Sequence, residues 1–254
     1  MSPLTLTLLL LTAQALLLAT SLRKSLWRVV PSWLLYVSLA TIHVISGIVA
    51  QGLGYDYPMI LLYFEPAFIL GQIAFTFESS IKILGFKLAG GGAPESRLLV
   101  WLVPLVPAAI VLPIEIGFIQ DALATWHSQE DESLRLVYSI RMFLSITLFV
   151  VLALIPAIGW TGKKAVKPAV RYHHHVVTAY MACNVLGYVC KYYLSRNSDL
   201  YLTVTFFIFG PVLCFLFWSW RMRTCGPADF EPVEDSSRED VANVFERRVF
   251  ADCS

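Results

Sequence analysis

The chain has 254 residues, of which 57% are hydrophobic and 15% charged, against roughly 25% charged in an average soluble domain. A mean hydropathy of +0.66 excludes an ordinary soluble globular fold, and a net charge of +1 excludes a nucleic-acid binder that works through bulk positive charge. With about 20 apolar residues needed per bilayer crossing, the sequence predicts an all-α, polytopic seven-helix transmembrane bundle over residues 1–222 and an acidic, flexible cytoplasmic tail over 223–254.

The first segment, 3–22, is apolar, and Arg23 and Lys24 follow it instead of preceding it. A secretory signal has the reverse order, so this is read as an uncleaved helix that enters with its amino terminus first. Pro31, a residue suited to the first helical turn, opens the second segment, 31–52, and His43 falls near its mid-depth. The third segment, 57–84, holds Glu65, Pro66 and Gln72, then Glu78 and Lys82. Glu65 and Gln72 are seven apart and share a helical face. Pro66 removes a backbone donor, so a kink or local opening beside Glu65 is expected. Glu78 and Lys82, acid first at i and i+4, are expected to form a boundary ion pair.

Glu115 and Asp121 lie in the proline-interrupted fourth segment, 98–125, and Tyr138 and Arg141 in the fifth, 134–160. A charge near the bilayer centre costs at least about 2.5–3.5 kcal/mol, and arginine stays protonated. Arg141 should therefore pair with a carboxylate; Glu115 and Glu65 lie at matching depth, with Glu115 preferred. Along the sixth segment, 170–193, His173, Tyr180, Asn184 and Lys191 recur at spacings of seven, four and seven, a polar stripe in which Asn184 should hydrogen-bond across helices. Consecutive residues on a helix point about 100° apart, so His173, His174 and His175 cannot all grip one ion. They are read as headgroup-level histidines, with no metal or haem site and no cofactor. The seventh segment, 199–222, has no lysine between 200 and 220, which excludes a retinal Schiff base there.

Short-loop lysines and arginines stay cytoplasmic, and twelve of them, from Arg23 to Arg223, fall on one side of these seven segments. The other side has Arg135, Lys191 and Arg196 beside the acidic run Glu130-Asp131-Glu132. The amino terminus is thus placed outside and the carboxy terminus in the cytoplasm. From Asp229 onward eight acids face three arginines, and Val241, Val244 and Phe245 at helical spacing offer a face for a cytoplasmic protein partner. Five cysteines without a C-x-x-C imply no disulfide framework. Trp and Tyr residues near segment ends, Trp27, Trp33, Trp218 and Trp220 among them, are read as an interfacial belt.

Residues 23–82 resemble a group of seven-helix bacterial membrane proteins without an assigned activity. The resemblance is carried by the Arg28–Tyr36 segment, by Leu62-Tyr63-Phe64, and by Glu65 and Glu78 thirteen residues apart. It implies fold and topology only. Membrane-embedded terpene cyclases have similar length, but the Asn-x-x-Trp-Glu run that marks their second helix is absent. No G-x-S-x-G is present either, nor an internal repeat of the transporter kind.

Together these readings define a multi-pass protein of the cell membrane, or of an organelle membrane in a eukaryotic source, with no nucleic-acid partner. Glu65, Glu115, Arg141, Tyr138, Lys191, Gln72, His43 and Asn184 are expected to form a polar outer-side pocket for a lipid-like or small anionic ligand. The role read from this is non-enzymatic, a ligand sensor or a scaffold or subunit of an assembly. The alternative is a membrane-integral enzyme using Glu65 or Glu115 as an acid on an isoprenoid or lipid.

Overall fold

The computed structural model describes residues 3–53, 57–88, 132–159, 166–190 and 205–230. Every regular element among them is helical: α1 (Pro3–Arg23), α2 (Pro31–Gly52), α3 (Tyr57–Leu88), α4 (Glu132–Gly159), α5 (Pro168–Val189) and α6 (Gly210–Met222). A π-helical stretch, Thr205–Phe209, leads into α6, and 3-10 turns form at Leu26–Arg28 and Pro227–Phe230. The starts follow proline chemistry. Pro31 and Pro168 each occupy a first helical position, where the missing N–H is not needed and φ is already helical. Between α1 and α2 the chain reverses through Ser25, whose φ of 54° is left-handed. The expected fourth segment, 98–125, lies outside the described residues, as does the tail beyond Phe230.

Among the described residues two helices, Thr5–Arg23 and Pro31–Ala50, are long and apolar enough to cross a bilayer, and Ser139–Ile155 and Phe206–Met222 are shorter apolar helices. Each helix packs on the next in order of description, and α6 returns to pack on α1, while α3 also touches α5 across the middle. Side-chain contacts give the directions. Ser32 meets Glu78 and His43 meets Phe64 and Phe68, so α2 and α3 are antiparallel. Arg141 meets Glu65, while Leu152 and Ser79 meet the same histidine, His174, so α3 and α4 are parallel. Phe215 packs on Tyr180 and Trp218 on His173, so α5 and α6 are antiparallel.

The core is aromatic. Trp33 and Trp218 are 0% exposed and Tyr36 2%, so the two tryptophans expected in an interfacial belt are interior instead. Trp33 lies edge-on to Phe75 at 5.2 Å and to Tyr180 at 5.4 Å. Tyr36 and Tyr180 join their hydroxyls at 2.7 Å. Trp27 and Trp220, at 50% and 65% exposure, do face outward. Gly210 lets α6 lie close against α5: a Cβ there would lie 2.5 Å from Cys183 Sγ and 2.9 Å from its Cβ. Alanine would have to push α5 and α6 apart, at about 1–3 kcal/mol.

The chain after α6 does not leave at once. Lys167 Nζ donates to the Ala228 carbonyl at 2.7 Å, and Phe230, 4% exposed, packs on the His173 ring at 6.2 Å. Residues 223–230 thus form a plug under the start of α5.

Candidate functional site: a buried polar seam between α3, α4 and α5

Arg141 enters from α4 and Glu65 from α3. Arg141 Nη1 donates to Glu65 Oε1 at 2.9 Å, with the side chains 13% and 4% exposed. The guanidinium carbon sits 5.1 Å from the Phe68 ring centre and 6.0 Å from that of Tyr188 on α5, close enough for cation–π attraction. The carboxylate is therefore the second of the two acids expected at this depth. Glu115, the preferred one, lies outside the described residues. His43, 8% exposed on α2, stacks edge-on to Phe68 at 5.2 Å and so borders the same group.

The pair is held by one bond only. Glu65 Oε2 and Arg141 Nε are buried without a hydrogen-bond partner among the described residues. Below them Gln72 is 0% exposed, and neither its Oε1 nor its Nε2 is bonded among those residues. Helical periodicity says where Gln72 faces. It is seven residues from Glu65, which meets α4, and seven from Ser79, which meets α5, so all three share the face turned to the α4–α5 junction. Ser145 follows Arg141 by one turn and Thr76 follows Gln72 by one turn; both hydroxyl oxygens are buried and unbonded among the described residues.

A second tier, nearer the other end, is more fully engaged, with His173 Nε2 left unbonded among the described residues. Pro156 lacks an N–H, so the Leu152 carbonyl, four residues earlier in α4, loses its helical donor. His174 Nε2 donates to that carbonyl at 3.0 Å, which fixes its tautomer and leaves Nδ1 to accept from Ser79 Oγ at 3.0 Å. One imidazole thus joins α3, α4 and α5. Trp218 Nε1 donates to His173 Nδ1 at 3.0 Å. His173 and His174 are each 1% exposed. This corrects the headgroup-level reading: an amphipathic helix turns two of three adjacent residues inward, and only His175 is exposed.

Two further expectations change. Among the described residues Asn184 Nδ2 bonds the Tyr180 carbonyl of its own helix at 3.2 Å and no neighbouring helix, a local option open to any asparagine one turn beyond a carbonyl. Glu78 accepts from the Ser32 backbone N–H at 2.6 Å instead of closing on Lys82. It serves a first-turn donor of α2 and places negative charge at that helix's positive end.

Of the expected pocket residues, Glu65, Arg141 and His43 gather around Phe68, and Gln72 shares the Glu65 face of α3 two turns along. The Tyr138 side chain, Glu115 and Lys191 lie outside the described residues. Ser145, Thr76 and Tyr188 were not anticipated; the one-turn spacing of Ser145 from Arg141 and of Thr76 from Gln72 was the available signal. No group of three or more histidine, cysteine or acidic side chains fit to hold a metal occurs among the described residues. No protein-family model, curated protein or solved structure matches the chain.

Proposed function

We propose that the chain is a seven-crossing membrane protein, amino terminus outside and carboxy terminus cytoplasmic, that binds a small polar or anionic ligand in the α3–α4–α5 seam and acts as a sensor or assembly subunit. Parity supports the crossing number. Helices α3 and α4 run parallel, and the sequence between them holds an apolar stretch, 98–125, of the length one crossing needs. Charge supports the orientation: Arg23, Lys24, Arg28, Lys82, Lys167, Arg171, Arg221 and Arg223 fall at the end where α1, α3 and α6 finish. The resemblance of residues 23–82 to seven-helix bacterial proteins agrees with both.

The observation that carries the ligand reading is Gln72, fully buried with both amide ends unbonded among the described residues. A buried polar group left unbonded costs about 1–3 kcal/mol, and such groups mark a missing water, ion or ligand. On the same helical face about two turns away, Glu65 Oε2 supplies an acceptor and Arg141 Nε a donor, so the seam offers a small polar molecule both functions. Acid catalysis on an isoprenoid calls for a carboxyl facing an open apolar cavity; Glu65 instead gives one oxygen to Arg141.

Gln72→Leu tests this. Without ligand the variant should be as stable as wild type or about 1–2 kcal/mol more so, because the unbonded amide is gone. Native mass spectrometry of protein extracted from its own membrane should find a small-molecule adduct on wild type and none on Gln72→Leu. Wild type carrying no adduct under any extraction would overturn the ligand reading.

Orientation is checked at Cys225, which lies beyond the spans. Burial, with the Asp229 carboxylate adding to it, pushes its thiol above the ordinary cysteine range. In a chain whose other cysteines are replaced, a membrane-impermeant maleimide should label Cys225 in inside-out vesicles only. Its rate should climb about tenfold per pH unit above neutrality, since the thiolate reacts. Labelling of right-side-out vesicles would reverse the assigned orientation.

A further inference from the structure

Where α1 and α6 finish side by side, the surface opens into a cavity of about 390 Å³ lined by Leu16, Ala19, Thr20, Arg23, Lys24 and Arg223. Three of the six side chains are cationic and none is acidic. None of the three forms an ion pair among the described residues. Asp229, the acid described beyond α6, is turned to the Gly226 N–H at 2.8 Å.

The cavity continues into an apolar lane. Leu8, Thr12, Leu16, Ala19 and Arg23, at steps of four, four, three and four, are all exposed and form one stripe on α1. Its one hydroxyl is bonded internally, Thr12 Oγ1 to the Leu8 carbonyl at 2.7 Å. From Leu16 to Leu8 the stripe runs about 12 Å, most of the roughly 15 Å that one leaflet contributes to the hydrocarbon core. Trp27, with the Arg28 guanidinium 5.2 Å from its ring centre, and Trp220 are exposed at the same end. Such residues anchor at headgroup level.

We propose that this cavity is a binding site for the phosphate of an anionic phospholipid, with an acyl chain lying along the α1 stripe. The juxtaposition of three cations that form no ion pair among the described residues with a contiguous apolar lane selects a lipid over a free phosphate ion, which would use the cations alone. Basic pockets between helix ends are suited to this chemistry. The proposal rests on the membrane-spanning reading.

The test compares wild type, Arg23→Gln/Lys24→Gln/Arg223→Gln and Arg23→Lys/Arg223→Lys in phosphatidylcholine vesicles with and without phosphatidylglycerol, and in detergent with inorganic phosphate. Thermal stability and lipid retained in native mass spectrometry are read together. Phosphatidylglycerol should stabilise and co-purify with wild type and the lysine variant. The glutamine variant should bind it about fivefold more weakly per cation removed, roughly hundredfold in all. Equal retention by the glutamine variant, or a stabilisation reproduced by inorganic phosphate, would overturn the lipid site. Resistance of each variant to alkaline extraction from membranes, scored separately, shows whether such a failure is the site's alone or extends to the membrane reading.

Discussion

Arg141→Gln should cost about 3–5 kcal/mol of stability, because it strands the Glu65 carboxylate in a site where that residue is 3% exposed. Glu65→Gln should cost a similar amount by stranding the guanidinium. At about 2–4 °C per kcal/mol for a chain of this size, either variant melts roughly 10 °C below wild type in detergent. The double variant Arg141→Met/Glu65→Leu should recover most of the loss, since replacing a buried pair by apolar groups of similar volume is neutral or better. Equal melting of both single variants and wild type would mean that the pair does not join α3 to α4. The contrast with Gln72 is diagnostic. Its removal should leave stability unchanged or improved, so a fastening element and a recognition element can be separated although they share one seam.

His174→Ala should cost about 3 kcal/mol, since it bares the Ser79 hydroxyl and the Leu152 carbonyl together and leaves a cavity between three helices. Part of that loss depends on Pro156. In a Pro156→Ala chain residue 156 regains its N–H and can serve Leu152 itself, so His174→Ala should cost about 1 kcal/mol less there. Thermal melts of the four chains give this coupling directly. A His174→Ala loss that is the same in both backgrounds would show that the histidine does not act through the carbonyl that proline frees.

Helices were legible in the sequence as long apolar runs: Pro31 opens α2 as the sequence predicts, while α5 starts at Pro168, two residues ahead of the expected 170. The need of Arg141 for a carboxylate was equally legible, because an arginine at that depth has few alternatives. Which acid answers it was not. Depth orders residues along a helix axis but says nothing about rotation around it, so depth does not choose between Glu65 and Glu115, and the preference for Glu115 had no rotational basis. Rotation also explains the histidines: a run of three looks alike in sequence, and only packing against Trp218 and Leu152 selects His173 and His174 for the interior. Trp33 and Trp218 were misplaced for the same reason. Each lies near a helix end, as a belt residue does, yet faces inward. Among the buried polar groups, Glu78 was the least accessible to reasoning, since its partner is a backbone N–H 46 residues away.

The pairing of Glu65 with Arg141 also has a history within each molecule. The two residues are 76 positions apart, so the acid is made well before its cation. At about 5–20 residues per second of synthesis, the acid waits roughly 4–15 s for its cation. Over that interval Glu65 must be solvated or held by a group other than Arg141. Order of arrival, and not only final geometry, is therefore under constraint at this position: the chain must tolerate an unanswered acid on its third helix long enough for the arginine to be made.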